Sequence, residues 1–314
     1  MQFKRLVVIG AGAIGGSIGG LLHESGFPVV LVSRGQHGKA IRESGLNIRM
    51  PNRGVNVRPE CLETIAEVNW QPGDVAMIAT KLNDAEAVMD QLLATVGDQV
   101  PVALATNGLH GERWAQQRFE NVISMIVWLP ATHLQAGEVR IHGANCPGIL
   151  DNGAVGTSTQ ELVKLSQSLS DQLVSVGFDA QTRADIDRWK LAKLITNLGS
   201  AAQAMVTDDW KSVASAARQE GIAVLDAANL DHVPKEELVA RTKKVSVSDV
   251  DGQPRLGGST WQSRQRGTPL ESCWIEGAIA DLADEVGFPA PINRFLSDVS
   301  LSPRELTAAE VLER

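Results

Sequence analysis

"LVVIGAGAIGGSIG", residues 6–19, sets an apolar run directly against a burst of glycines. Two readings compete for it. As a secretory signal it would take Lys4 and Arg5 as the basic start and the apolar run as the hydrophobic centre. Gly10, Gly12, Gly15 and Gly16 interrupt that centre, and glycine disfavours the helix it has to form. The spacing Gly10, Gly12, Gly15 fits G-x-G-x-x-G instead, after a β-branched strand candidate at 6–9 and before a helical pattern. A glycine turn between strand and helix is the setting in which that motif binds a dinucleotide. Gly10 permits the tight bend, Gly12 lets the backbone approach a pyrophosphate, and Gly15 lets the helix pack close to its strand. With Ala11, Ala13 and Ile14 they make a candidate cofactor loop, whose helix directs its N-terminal amides at the phosphates.

Outward from this loop the chain alternates. Short apolar runs at 3–9, 28–32, 74–79, 102–106 and 122–128 read as strands covered on both faces. Helical patterns at 14–25, 36–44, 84–96 and 111–119 lie between them. This order predicts an α/β fold with an N-terminal Rossmann-type doubly wound parallel sheet. "EVRIHGANCPGILDNG", residues 138–153, adds one or two strands with Gly, Pro and Asn turns, as an antiparallel addition. After Asp185 the character changes, and 186–206, 208–230, 234–243 and 271–286 read as helices with no strand between them. The division is therefore a cofactor domain over 1–183 and a mostly helical C-terminal domain over 184–314. The tail "SLSPRELTAAEVLER" fits either a last short helix or a frayed end.

Composition bounds the function. The 314 residues are 43% hydrophobic and 21% charged, as in a globular protein, and long enough for two cores. A formal net charge of −8 speaks against a nucleic-acid partner. No apolar run reaches the ~20 residues that span a bilayer. Cys61, Cys146 and Cys273 are widely spaced, without a C-x-x-C, as expected of thiols in a reducing compartment. The histidines show no metal-ligand spacing, so no metal is expected. The cytoplasm is the default location.

The second strand ends in "VVLVSRGQH". An NAD site carries Asp or Glu there to bind the ribose 2′-hydroxyl, whereas Ser33 and Arg34 stand here with no carboxylate adjacent in sequence. Arg34 can clamp a 2′-phosphate with charge-assisted hydrogen bonds, which points to NADPH. Later strand ends deliver Lys81, and Asn107 with Gly108, to the edge where ligands lie in such sheets. Lys81 suits the adenosine phosphates and Asn107 the nicotinamide or substrate, although Asn-Gly is also a common turn pair.

In "DRWKLAKLITNLGSAAQAM", residues 187–205, Leu191, Leu194, Ile195, Leu198, Ala202 and Met205 form an apolar stripe. Lys193 and Asn197 are i, i+4 neighbours, about 40° apart around the axis and off that stripe, with Ser200 on their side. Geometry alone does not separate Lys193 from Lys190.

"VVIGAGAIGG" with Arg34, "TNGLHGE", "KLITN", and Ser259 with Glu271 in "GGSTWQSRQRGTPLE" together resemble the ketopantoate reductases (2-dehydropantoate 2-reductases) over nearly the whole chain. The resemblance implies NADPH-dependent reduction of a small 2-oxo acid, first ketopantoate in pantothenate synthesis, by a monomer or homodimer. It implies Lys193 as general acid, Asn107 and Asn197 as substrate contacts, Ser259 as a donor to the carboxylate, and Glu271 as a catalytic carboxylate anchoring cofactor or substrate. The chain departs from the family pattern at Thr106, Ala201, Ser263 and Glu276, and at "IVWLPATH", 126–133. These departures leave room for another branched or amine-bearing 2-oxo acid, and for a catalytically silent NADPH-binding protein. Glu271 has a second reading, since "TPLE" fits a helix start with Thr268 as N-cap, Pro269 at N1 and Glu271 closing a capping box.

Overall fold

A computed structural model describes residues 3–156 and 159–314. The chain folds into two compact units. The first comprises Met1–Thr106, Gly111–Ile186 and Val239–Arg255, and the second Asn107–His110, Asp187–Leu238 and Leu256–Arg314. The division differs from a single cut after residue 183 in two places. Residues 107–110 belong with the second unit, and 239–255 with the first.

The strands, all in the first unit, are β1 (Arg5–Ile9), β2 (Val29–Val32), β3 (Leu46–Arg49), β4 (Gly54–Val57), β5 (Glu60–Leu62), β6 (Asp74–Ile78), β7 (Val102–Leu104), β8 (Val122–Trp128), β9 (Ala131–Thr132), β10 (Glu138–Ile141) and β11 (Ile149–Ala154). The large sheet runs β11-β8-β7-β6-β1-β2-β5. From β5 to β8 every pairing is parallel, and β11 closes the edge antiparallel to β8. The five long apolar runs are the five strands expected. Their side chains are buried almost throughout because helices α1 (Ala13–Glu24), α2 (Gly35–Ser44), α3 (Leu82–Val96), α4 (His110–Gln116) and α5 (Gln160–Ser175) accompany the sheet. Leu6 and Val8 of β1 share one core with Ile18, Leu21 and Leu22 of α1 and Leu162, Leu165 and Leu169 of α5.

A second sheet, β4-β3-β10-β9, was not anticipated between 46 and 57. Its strands are four residues or shorter, and only one face of β3 is covered: Leu46 and Ile48 are buried, Asn47 and Arg49 are not. So short an alternation carries little signal. The 138–153 segment splits between the two sheets, β10 pairing with β3 and β9, and β11 joining the large sheet.

The later helices are α6 (Ile186–Asn197), α7 (Ser200–Met205), α8 (Trp210–Ala227), α9 (Lys235–Thr242), α10 (Ser259–Gln265), α11 (Ser272–Val286), α12 (Pro291–Ser300) and α13 (Ala308–Leu312). The single helix expected over 186–206 is therefore two. Gly199 takes a left-handed φ of +88° between them, and a Cβ there would lie 2.5 Å from the Ala214 Cα of α8. The tail is a helix, α13, with Thr307 and Glu310 making a capping box. Pro291 at the first turn of α12 was a start signal available in the sequence. Among the described residues no helix is long and apolar enough to cross a membrane.

The segment 239–255 is held to the first unit by charge. Asp151 on β11, fully buried, accepts hydrogen bonds from Arg183 Nε at 2.6 Å and from Arg241 Nη2 at 2.5 Å and Nε at 3.0 Å. Arg241 also pairs with Asp179 at 2.9 Å. Removing the central charge takes Arg183's buried partner away and leaves the buried Arg241 with Asp179 alone, which costs more than losing a surface pair. Asp151→Asn should lower the unfolding free energy by about 3–5 kcal/mol, read by urea denaturation. A loss within 0.5 kcal/mol, typical of a surface substitution, would show that the cluster does not hold this segment.

Candidate active site

The first turn has the form a dinucleotide loop needs. Gly10 has φ +99°, and a Cβ there would stand 2.9 Å from the Thr80 amide nitrogen. A Cβ on Gly15 would stand 2.1 Å from the Gly10 carbonyl oxygen, so only glycine allows α1 this close to β1. In front of Gly12, by contrast, nothing lies within 4 Å of the Cβ position. Gly12 is the N-cap of α1 and offers no side chain to the first-turn amides. An open approach to uncapped amides at a helix N-terminus fits a pyrophosphate. Ala11, Ala13 and Ile14 complete the loop.

Arg34 is the N-cap residue of α2, directly after β2, and its side chain is 79% exposed. It is not free of acid neighbours, as its surroundings in sequence suggested. Asp84, fifty positions on in the first turn of α3, pairs with it at 3.1 Å. The fold brings together what the sequence separates. Both members are exposed, so the pair is weak and can give way to a phosphate. Lys81 stands at the N-cap position of α3, after β6, half-buried.

His37 was not singled out by sequence, yet it braces the cofactor loop. Its Nε2–H donates to the Ala11 carbonyl at 2.8 Å, and its Nδ1 accepts the Gly137 amide at 2.9 Å. A carbonyl on one nitrogen and an amide donor on the other require the neutral ring. Burial, with the His133 ring tilted against it at 4.0 Å, lowers its pKa from 6.5 to about 4.

The second unit gathers the remaining candidates, except the cofactor residues. The Asn197 amide at the end of α6 donates to Asn107 Oδ1 at 3.3 Å. The loop that follows β7 is thus tied to the lysine-bearing helix, and His110 sets its ring edge-on to Trp274 of α11 at 5.1 Å. Lys193 is half-buried, one turn before Asn197, while Lys190 is buried at 3% exposure. Ser259 is the exposed first residue of α10, and its neighbour Thr260, buried, donates to Ser200 at 3.1 Å. Thr260 was missed because a threonine inside a short helix carries no signal of its own.

The capping-box reading of Glu271 does not hold. The helix starts at Ser272, Glu271 is itself the N-cap residue, and no side-chain cap bond forms. Thr268 instead donates its hydroxyl to the Ser263 carbonyl at 3.2 Å, closing the end of α10. Glu271 is buried at 6% exposure. The departures at 201 and 276 meet: Glu276 Oε1 accepts the Ala201 amide at 3.2 Å.

Fold and loop together define the class, a dinucleotide-binding protein built on a Rossmann-type sheet. The family follows from comparison. Residues 6–154 match the family described as ketopantoate reductase PanE/ApbA, and residues 185–301 match its C-terminal part. The chain belongs to this family, and is an oxidoreductase of the C=O/CH–OH kind. It is 26% identical over 305 residues to the 2-dehydropantoate 2-reductase of Pyrococcus horikoshii, covering 93% of this chain and 95% of that one. A solved PanE/ApbA family ketopantoate reductase from Ralstonia eutropha superimposes with a TM-score of 0.77 at 23% identity, covering 94% of this chain and 97% of that one. D-mandelate dehydrogenase, solved with NADH and anilino(oxo)acetate, shares the fold with a TM-score of 0.79 at 20% identity, over 95% and 97% of the two chains.

The His37 brace has a pH signature. The unfolded imidazole takes its proton near 6.5 and the folded one only near 4, so between these values the unfolded chain binds more protons. Stability contributed by this group is present above the higher value and is lost as the pH falls through the window. Unfolding followed from pH 7 to pH 4 should show a smaller acid loss in His37→Gln than in the wild type. Parallel curves would remove His37 from the account.

Proposed function

We propose that this chain uses NADPH to reduce a small 2-oxo acid to the 2-hydroxy acid. The substrate we assign is 2-dehydropantoate (ketopantoate), giving pantoate for pantothenate and coenzyme A synthesis in the cytoplasm. The observation that carries this reading is the Asn197–Asn107 hydrogen bond. It joins the two amide residues expected to face the substrate, one turn from Lys193. The name of the Pyrococcus horikoshii relative, matched over nearly its full length, supports the same substrate.

The bound cofactor supplies hydride to the carbonyl carbon. The loop Gly10, Ala11, Gly12, Ala13, Ile14 and Gly15 holds its pyrophosphate through backbone amides. Arg34 exchanges Asp84 for the 2′-phosphate, and Lys81 adds charge beside the adenosine phosphates. The Lys193 ammonium gives its proton to the carbonyl oxygen as negative charge gathers there. Asn107 and Asn197 would orient the ketone for hydride transfer. The Ser259 hydroxyl donates to the substrate carboxylate, and Glu271 anchors cofactor or substrate hydroxyls. The departures from the family pattern at Thr106, Ala201, Ser263 and Glu276 leave a second reading, a reductase of another branched or amine-bearing 2-oxo acid.

NADPH absorbance with a panel of 2-oxo acids tests both. Ketopantoate should be reduced fastest. Preference for another acid moves the assignment to the second reading, and NADPH binding without oxidation makes the chain a silent binder. Arg34→Ala should raise KM for NADPH and leave KM for NADH nearly unchanged. Lys193→Ala should lose ~10²–10⁴ in turnover, the worth of a placed acid, while NADPH still binds. A larger loss in a folded Lys190→Ala variant would transfer the role to Lys190.

A further inference from the structure

Glu276 is the most deeply buried carboxylate of the second unit, with no exposure at all. It projects from α11 to the break between α6 and α7. There Oε1 accepts the amide hydrogens of Gly199 and Ala201, both at 3.2 Å, while Oε2 has no hydrogen-bond partner. A carboxyl group is costly to bury unless its placement is used. The amides it holds belong to the break that sets the bearing of its flanks. On one flank is Asn197, bonded to Asn107; on the other is Ser200, bonded to Thr260 beside Ser259. The break is also held by the fit of Gly199 against Ala214, where no Cβ has room, and by the burial of Leu198, Ala201 and Ala202 in the core.

We propose that Glu276 is a positioning residue for the reduction: by accepting the Gly199 and Ala201 amides it fixes the α6–α7 break, and through it the aim of Asn197 and Ser200. The inference rests on the function proposed above.

The carboxyl group is open to titration in the working range. Burial raises its pKa to about 7 against the two amides and the nearby Ser272 hydroxyl, all of which favour the charged form. Among the described residues no cation pairs with it; Arg218 of α8, which reaches the end of α6, donates to the Thr196 carbonyl at 3.4 Å. Helix α7 has no ionisable side chain. On α8, Glu220 is committed to the Ile292 and Asn293 amides, and on α12, Arg294 is paired with Asp284. On α11 itself, Cys273 and Glu271 are the neighbouring ionisable groups, the Cys273 thiol pushed up mainly by burial. The charged carboxylate holds amides more firmly than the neutral acid. Activity should therefore fall as the pH drops through the neutral range.

The amide resonances of Gly199 and Ala201 can be followed by ¹⁵N–¹H spectroscopy between pH 5.5 and 8.5, beside kcat/KM profiles. In the wild type both resonances should titrate together. The kcat/KM should fall about fivefold on the acid side, the difference between charge-assisted and neutral bonds. In Glu276→Gln both dependences should vanish, with KM for NADPH unchanged. Glu276→Asn, which is uncharged and too short to reach both amides, serves if Gln does not fold. Amides that do not titrate in the wild type overturn the proposal without any variant, as does an acid limb that persists unchanged in Glu276→Gln. Failure of the wild type to reduce any 2-oxo acid overturns the function itself, and appears before the pH series begins.

Discussion

The structure hangs on how closely α1 lies against β1. A Cβ at Gly15 would overlap the Gly10 carbonyl, and one at Gly19 would press on Leu31 and Val8. Removing those atoms lets the helix descend onto the sheet, and the connecting turn then has to pass through the positive φ of Gly10. That turn leaves the first amides of the helix facing outward at the carboxyl edge of the parallel strands. The same edge receives Arg34 from the end of β2 and Lys81 from the end of β6. Binding chemistry here is a by-product of close packing. The glycines serve the core first, and the anion site follows from the geometry they permit.

What the sequence disclosed follows from how local each signal is. The five long strands were legible because each is dominated by buried apolar residues, as in "LVVI" and "VVLV". The small sheet was not, since β3 and β4 cover one face over four residues each. Asn107 and Asn197 could be named one at a time, but their hydrogen bond spans ninety positions and is visible only in the fold. Asp84 escaped notice as the neighbour of Arg34 for the same reason. The misreading at Glu271 is instructive. Thr268, Pro269 and Glu271 satisfied every local rule for a helix start, yet Thr268 closes α10 and the new helix waits until Ser272. Tertiary packing chose between two local solutions of similar energy.

Two buried acids show opposite uses of the same group. Asp151 sits between Arg183 and Arg241, and its work is to join distant segments of chain. Glu276 instead holds the backbone amides of Gly199 and Ala201. The first ties side chains of separate segments together, and the second fixes a bend in the main chain.

The path of the chain between the two units has an evolutionary consequence. It crosses from one to the other five times, at 106/107, 110/111, 186/187, 238/239 and 255/256. Neither unit is a continuous stretch, so no single break in a gene yields either one whole. Exchange of the catalytic half by recombination at one junction would strand residues 107–110 and 239–255 with the wrong partner. Diversification in such an architecture has to proceed by point substitution inside an inherited pair rather than by trading modules.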